Sequence, residues 1–162
     1  MIGPRVGVIT HLVLILALCG LPQPVASQNL LVPMDRGQEN HLRAYGLTYW
    51  TLEQGDTVEW FLNYRGGSFL LPDSEAVRRE AAFRGVSFEP IGSAQLAEIR
   101  LIIQGENMEA VPLETAPRIA IYTPPNVPPW DDAVTMALTY AEISYETIWD
   151  PEVLIGELSQ YE

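Results

Sequence analysis

The stretch Asn29-Leu30-Leu31-Val32-Pro33-Met34, followed by Leu42, Tyr45, Tyr49 and Leu52 and then by Val58-Glu59-Trp60-Phe61-Leu62, decides how this chain is read. The first run is continuously apolar and ends at Asp35, as a strand buried on both faces would. From Gln38 the apolar spacing changes to three, four and three, which is one face of a helix, and Gly55 closes it. The second run returns to strand character. Strand, helix, strand in this order predicts a β-α-β unit of parallel type with a right-handed crossover.

Working outward from that unit, Arg65-Gly66-Gly67-Ser68 is a turn and Phe69-Leu70-Leu71 a short extended piece. Pro72-Asp73-Ser74 opens a second helix, with Asp73 or Ser74 as cap and Gly85 as stop. Residues 86–91 are a third strand candidate, and Leu96, Ile99 and Ile103 mark a helix over 94–104. Residues 105–117 have no clear period and are expected to be a connector. Arg118-Ile119-Ala120-Ile121-Tyr122 reads as a strand before a proline-rich breaker. A helix follows from Trp130-Asp131-Asp132, with apolar positions on more than one face and so expected to pack on both sides. Tyr145 to Trp149 is the next strand, and Pro151 begins a last helical turn. The fold class expected is α/β, with mostly parallel sheets flanked by helices in a Rossmann- or flavodoxin-like arrangement. Residues 28–104 form the first α/β domain and 118–162 a second, incomplete unit.

Before this organised region, Val6 to Leu21 is almost wholly apolar, follows Arg5, and is shorter than the about 20 residues a bilayer span needs. Val25-Ala26-Ser27 supplies small residues for cleavage. Residues 1–27 are therefore read as a secretory signal, placing the mature chain in the periplasm or outside the cell without a stable membrane span. Cys19 is preceded by Leu18, which argues against a lipoprotein anchor there.

Loss of the signal removes the one cysteine and leaves His41 as the one histidine. That rules out a disulfide framework, a cysteine-rich zinc site and a cysteine nucleophile within residues 28–162. There is no lysine, hence no Gly-Lys-Ser phosphate loop and no Schiff-base lysine. Eight arginines face 21 acidic residues, a net charge of −13 for the mature chain. So acidic a surface repels phosphate backbones and argues against nucleic acid as a partner. No Gly-x-Ser-x-Gly elbow is present.

In an open parallel sheet, ligands bind beyond the carboxyl ends of the strands. The loops there offer Asp35, Asn40 and His41 after the first strand, Asn63, Arg65, Gly66, Gly67 and Ser68 after the second, and Asp131 after the strand ending at Tyr122. Arg65 beside two glycines is suited to a small anionic ligand, because bare N–H groups next to a guanidinium hold a carboxylate or phosphate. These turns are expected to gather on one rim, with the runs around Leu31, Trp60 and Ile121 side by side in the interior. Asp131 and Asp132 suit helix capping better than metal ligation, and no metal site or cofactor is assigned.

The segments Leu31 to Asp35, Asn40 to Gly46, Leu62 to Phe69 and Pro129 to Thr135 resemble a family of large exported bacterial proteins labelled asparagine synthetase B. The resemblance runs from about Leu30 to the end of the chain and is carried most specifically by Asn63-Tyr64-Arg65-Gly66-Gly67-Ser68 and Pro129-Trp130-Asp131-Asp132. It implies that residues 118–149 open a domain similar to class I glutamine amidotransferases. It also implies that the chain is an N-terminal fragment whose catalytic cysteine, if the domain is active, lies downstream of Glu162. The amino-terminal nucleophilic cysteine and the Ser-Gly-Gly-x-Asp-Ser pyrophosphate loop of asparagine synthetase B enzymes are absent, so no catalytic residue is carried over. The alternative is a non-catalytic extracytoplasmic module that binds a small anion or a glycan.

Overall fold

The computed structural model describes residues 28–127 and 132–161. Residues 1–27, on which the expected signal and Cys19 fall, and Asp131 lie outside the described residues. In chain order the elements are β1 (Asn29–Val32), α1 (His41–Glu53), β2 (Val58–Leu62), β3 (Ser68–Pro72), α2 (Glu75–Arg84), β4 (Glu89–Ile91), α3 (Ser93–Gly105) and β5 (Glu109–Leu113). They continue with β6 (Ala120–Tyr122), α4 (Ala133–Ala141), β7 (Glu146–Ile148) and α5 (Asp150–Leu154). Short 3-10 turns occupy Tyr64–Gly66 and Glu157–Gln160.

The local signals act as their chemistry dictates. The Asn40 side chain caps α1 by accepting from the Arg43 N–H, two residues later than the start at Gln38 read from the sequence. Ser74 caps α2 by accepting from Val77, and Gly85 ends it at a φ of 65°, a left-handed conformation that costs glycine nothing.

The pairing departs from the parallel, Rossmann-like expectation. The main sheet has five strands in the order β4-β1-β3-β2-β5, and every neighbouring pair is antiparallel. β1 and β2 are not neighbours. The chain reverses at Asn63–Gly67, and β3 returns into the gap between them, pairing Leu31 with Leu70 on one side and Trp60 with Phe69 on the other. The first four strands and two helices therefore make a β-α-β-β-α-β split unit of ferredoxin-like order. β5 extends it at the β2 edge, so residues 109–113, read as connector, belong to the sheet.

The misreading has a physical cause. A continuous apolar strand reports cover on both faces, not the direction of its neighbours. Here both faces are covered: Leu30, Val32, Phe69 and Leu71 pack against Ala44, Leu47, Val77 and Ala81 of α1 and α2. Leu31, Phe61, Leu70 and Ile91 pack against Ile99 and Ile103 of α3 on the other face. Each fully buried aliphatic or aromatic side chain contributes roughly 1.5–3 kcal/mol. The two outer strands carry exposed prolines, Pro90 in β4 and Pro112 in β5, which remove backbone donors and blunt the edges.

The second unit does keep the parallel arrangement. β6 and β7 pair in parallel, Ile121 opposite Thr147, with α4 as the crossover. Ile121 thus belongs to a separate two-stranded sheet and not beside Leu31 and Trp60. α4 packs chiefly on α1 and leaves Val134, Met136 and Tyr140 about half exposed; it is not packed on both sides. Among the described residues no helix is long and apolar enough to cross a membrane.

Candidate functional site

Two of the three predicted loops meet. The segment after β1 and the turn between β2 and β3 lie at the same end of the sheet, tied by the Met34 N–H donating to the Arg65 carbonyl at 3.0 Å. Asn63 and Arg65 both adopt positive φ, 64° and 46°, and Gly66 and Gly67 continue the turn at 82° and 91°. The Arg65 carbonyl is thereby turned toward the segment that follows β1.

Most of the named side chains spend their polar atoms holding this turn. Arg65 donates from Nε to Asp35 Oδ2 at 2.8 Å and from NH1 to Glu89 Oε1 at 2.8 Å. The Gly37 N–H reaches Asp35 Oδ1, also at 2.8 Å. Ser68, fully buried, donates to the Tyr64 carbonyl, and Trp60 Nε1 donates to the Gly67 carbonyl. Asn63 ties the turn to the Asn107 carbonyl across the start of β5. His41 Nε2 lies 3.2 Å from the carbonyls of Met34 and Asp35; since carbonyls only accept, that nitrogen carries the hydrogen. Asn40, besides capping α1, donates to the Tyr140 hydroxyl at 2.8 Å.

Arg65 is therefore an internal clamp. An external anion would have to displace two carboxylates that already hold the guanidinium. Glu89, the second of them, comes from β4 and escaped the sequence reading because 24 residues separate it from Arg65 with no local pattern linking the two. Among the described residues no group of three His, Cys, Asp or Glu side chains is arranged to hold a metal ion. Asp132 caps α4 through the Val134 N–H, the capping role expected for it.

The third loop does not join the rim. Thr123, Asp132, Thr135, Tyr145 and Thr147 line a hollow of their own, about 190 Å³. The second unit instead meets the first through α4. Arg84, nearly buried, donates to the Ala141 carbonyl at 3.0 Å, pairs with Glu80 at 2.8 Å and lies 3.3 Å from Glu142. Arg43 also pairs with Glu142. A cation at the carboxyl end of α4 is where the helix dipole favours it. Gly46 permits the approach: a Cβ there would stand 1.7 Å from the Ala141 carbonyl oxygen. The sequence held a signal for this contact that went unread, because glycine within a helix costs about 1 kcal/mol against alanine and needs a reason to be there.

The clamp predicts a pH dependence. The Arg65 hydrogen bond, then the Gly37 N–H, hold the Asp35 carboxyl below its ordinary value of 3.8. A group depressed in the folded state adds stability above its unfolded value, and that stability is lost as pH falls through the folded value. Asp35→Asn should lower the thermal midpoint at neutral pH. The gap to the wild type should close as pH drops below 3.8. A gap that stays constant into acid would show that Asp35 gains nothing from its charge.

No family model, curated protein or solved structure matches this chain.

Proposed function

We propose that this chain is the N-terminal part of an exported glutamine amidotransferase-like protein of the family labelled asparagine synthetase B. In it, the split β-α-β-β-α-β unit positions the α/β unit that follows. The observation that carries this reading is the parallel β6-α4-β7 unit, seated on α1 at the residues that resemble the opening of the amidotransferase-like domain. The resemblance adds the two polar blocks around Arg65 and Asp132. Within this reading the nucleophile that releases ammonia from glutamine is a cysteine, and residues 28–162 supply none. Their part is to hold and orient. The Asp35–Arg65–Glu89 clamp fixes the turn between β2 and β3 and leaves no free guanidinium, which counts against the anion-binding alternative.

The test is to express the protein with whatever coding sequence continues its reading frame and to assay ammonia release from glutamine. Glutamine-dependent release that is abolished by thiol alkylation is the expected result. A frame that supplies no cysteine, or a full-length protein that leaves glutamine intact, would sink the amidotransferase reading.

A further inference from the structure

β5 lengthens the main sheet one strand beyond the layer formed by α1 and α2, so the helix layer does not cover the sheet completely. Along the uncovered strip, Tyr45 and Tyr49 of α1 face Trp60, Phe69 and Leu113 of the sheet, and Ile143 closes one end from beyond α4. The result is a three-walled cleft of about 280 Å³. Its aromatic residues brace one another: Phe69 stacks on Trp60 with ring centres 6.0 Å apart and meets Tyr45 edge-on at 5.5 Å.

The polar atoms inside the cleft are already committed. Trp60 Nε1 donates to the Gly67 carbonyl, Tyr49 donates to the Pro117 carbonyl, and Thr48 donates back to Ala44. Burial, with the Glu53 carboxylate nearby, raises the Tyr49 phenol so that it stays neutral. None of the lining residues is charged, in a mature chain of net charge −13. At the mouth, the hydroxyls of Tyr45 and Thr115 are the groups left for a ligand to meet. A sugar ring, which carries several hydroxyls, would find too few partners and would lose more hydration than it regained. An anion would meet no cation. A flat apolar ring would rest against the aromatic and aliphatic lining and would bring no unmatched charge.

We infer that this cleft is a binding site for an uncharged, flat apolar ring compound, held against the aromatic side chains contributed by α1, β2 and β3. The site is independent of the amidotransferase reading, since it uses none of the clamp residues and no part of the parallel β6–β7 pair.

The probe is N-phenyl-1-naphthylamine, an uncharged fluorophore, titrated into the whole chain. One saturable site, insensitive to salt, is expected. Thr115→Arg, on the exposed lip, should weaken binding about tenfold or more by placing a charge against an apolar wall, with the thermal midpoint unchanged. Tyr45→Ala, on the exposed side of α1, should weaken it by removing one wall. Leu154→Ser should change nothing, because Leu154 belongs to a different, highly exposed apolar patch on α5. Three results would overturn the inference: no saturable binding by the wild type; binding lost in Leu154→Ser but kept in both cleft variants; or tighter binding of a neutral methyl glycoside than of the naphthylamine.

Discussion

Gly66→Ala is expected to lower the thermal midpoint by about 10 °C and to unseat the turn that joins β2 to β3. Gly66 sits at a φ of 82°, and a Cβ built there would lie 2.3 Å from the Met34 carbonyl oxygen and 2.6 Å from its carbon. Both atoms are backbone at the end of β1, so no side chain can swing away. The left-handed conformation costs a non-glycine residue roughly 1–2 kcal/mol, and forcing an extra methyl into a packed site costs roughly 1–3 more. A total of about 3 kcal/mol corresponds to about 10 °C in a chain of this length. Relief by backbone movement would break the Met34–Arg65 hydrogen bond and pull Arg65 from Asp35 and Glu89, so the acid sensitivity conferred by Asp35 should vanish with it. Gly105→Ala is the control, because its methyl would meet open space at the end of α3. Equal midpoints for the two variants would mean that the turn is not held against β1 as described.

The elements themselves were legible in the sequence. Asn29–Val32, the helix ending before Gly55, the Ser74 cap and the Gly85 stop all follow from periodicity and terminal chemistry, which act within a few residues. Strand partnership is not a local property. Phe69-Leu70-Leu71 reads as a minor extended piece, yet it is the central strand, because the turn over Asn63 to Gly67, with positive φ at Asn63, Arg65, Gly66 and Gly67, brings it back between β1 and β2. β5 escaped for the opposite reason. Glu109, Pro112 and Leu113 sit at a sheet edge with one side in water, so no apolar run marks them. The same distinction divides the candidate site. That Asp35 and Arg65 come together follows from their places at strand ends, which the sequence marks. That Glu89 completes the clamp depends on β4 lying beside β1, a pairing that no local feature of the sequence marks.

Gly46→Val is expected to undock the second unit from the first. α1 and α4 approach so closely at this position that even an alanine Cβ would fall 1.7 Å from the Ala141 carbonyl oxygen and 2.8 Å from its carbon, with Arg84 NH1 at 2.9 Å. The arginine end is flexible, but the carbonyl is fixed by the helix that carries it. Restoring an ordinary contact needs α4 to retreat by roughly 1.5–2 Å, enough to take a hydrogen bond out of range. The retreat would part Arg84 from the Ala141 carbonyl, Asn40 from Tyr140 and Arg43 from Glu142 together. Arg84 is the costly one, since a nearly buried guanidinium that loses a partner forfeits the compensation for its burial, of the order of 3 kcal/mol. The main sheet should survive, because its core clusters do not include α4. Limited proteolysis separates the outcomes: cleavage of Gly46→Val near residues 114–119, releasing an intact first unit, is the expected pattern. Uniform resistance like that of the wild type would show that α4 is not anchored through Gly46. If the chain works by holding the α/β unit in place, this variant in the full-length protein should lose glutamine hydrolysis while keeping its folded first unit. Retained hydrolysis with a detached α4 would leave the fold description standing and remove the positioning role.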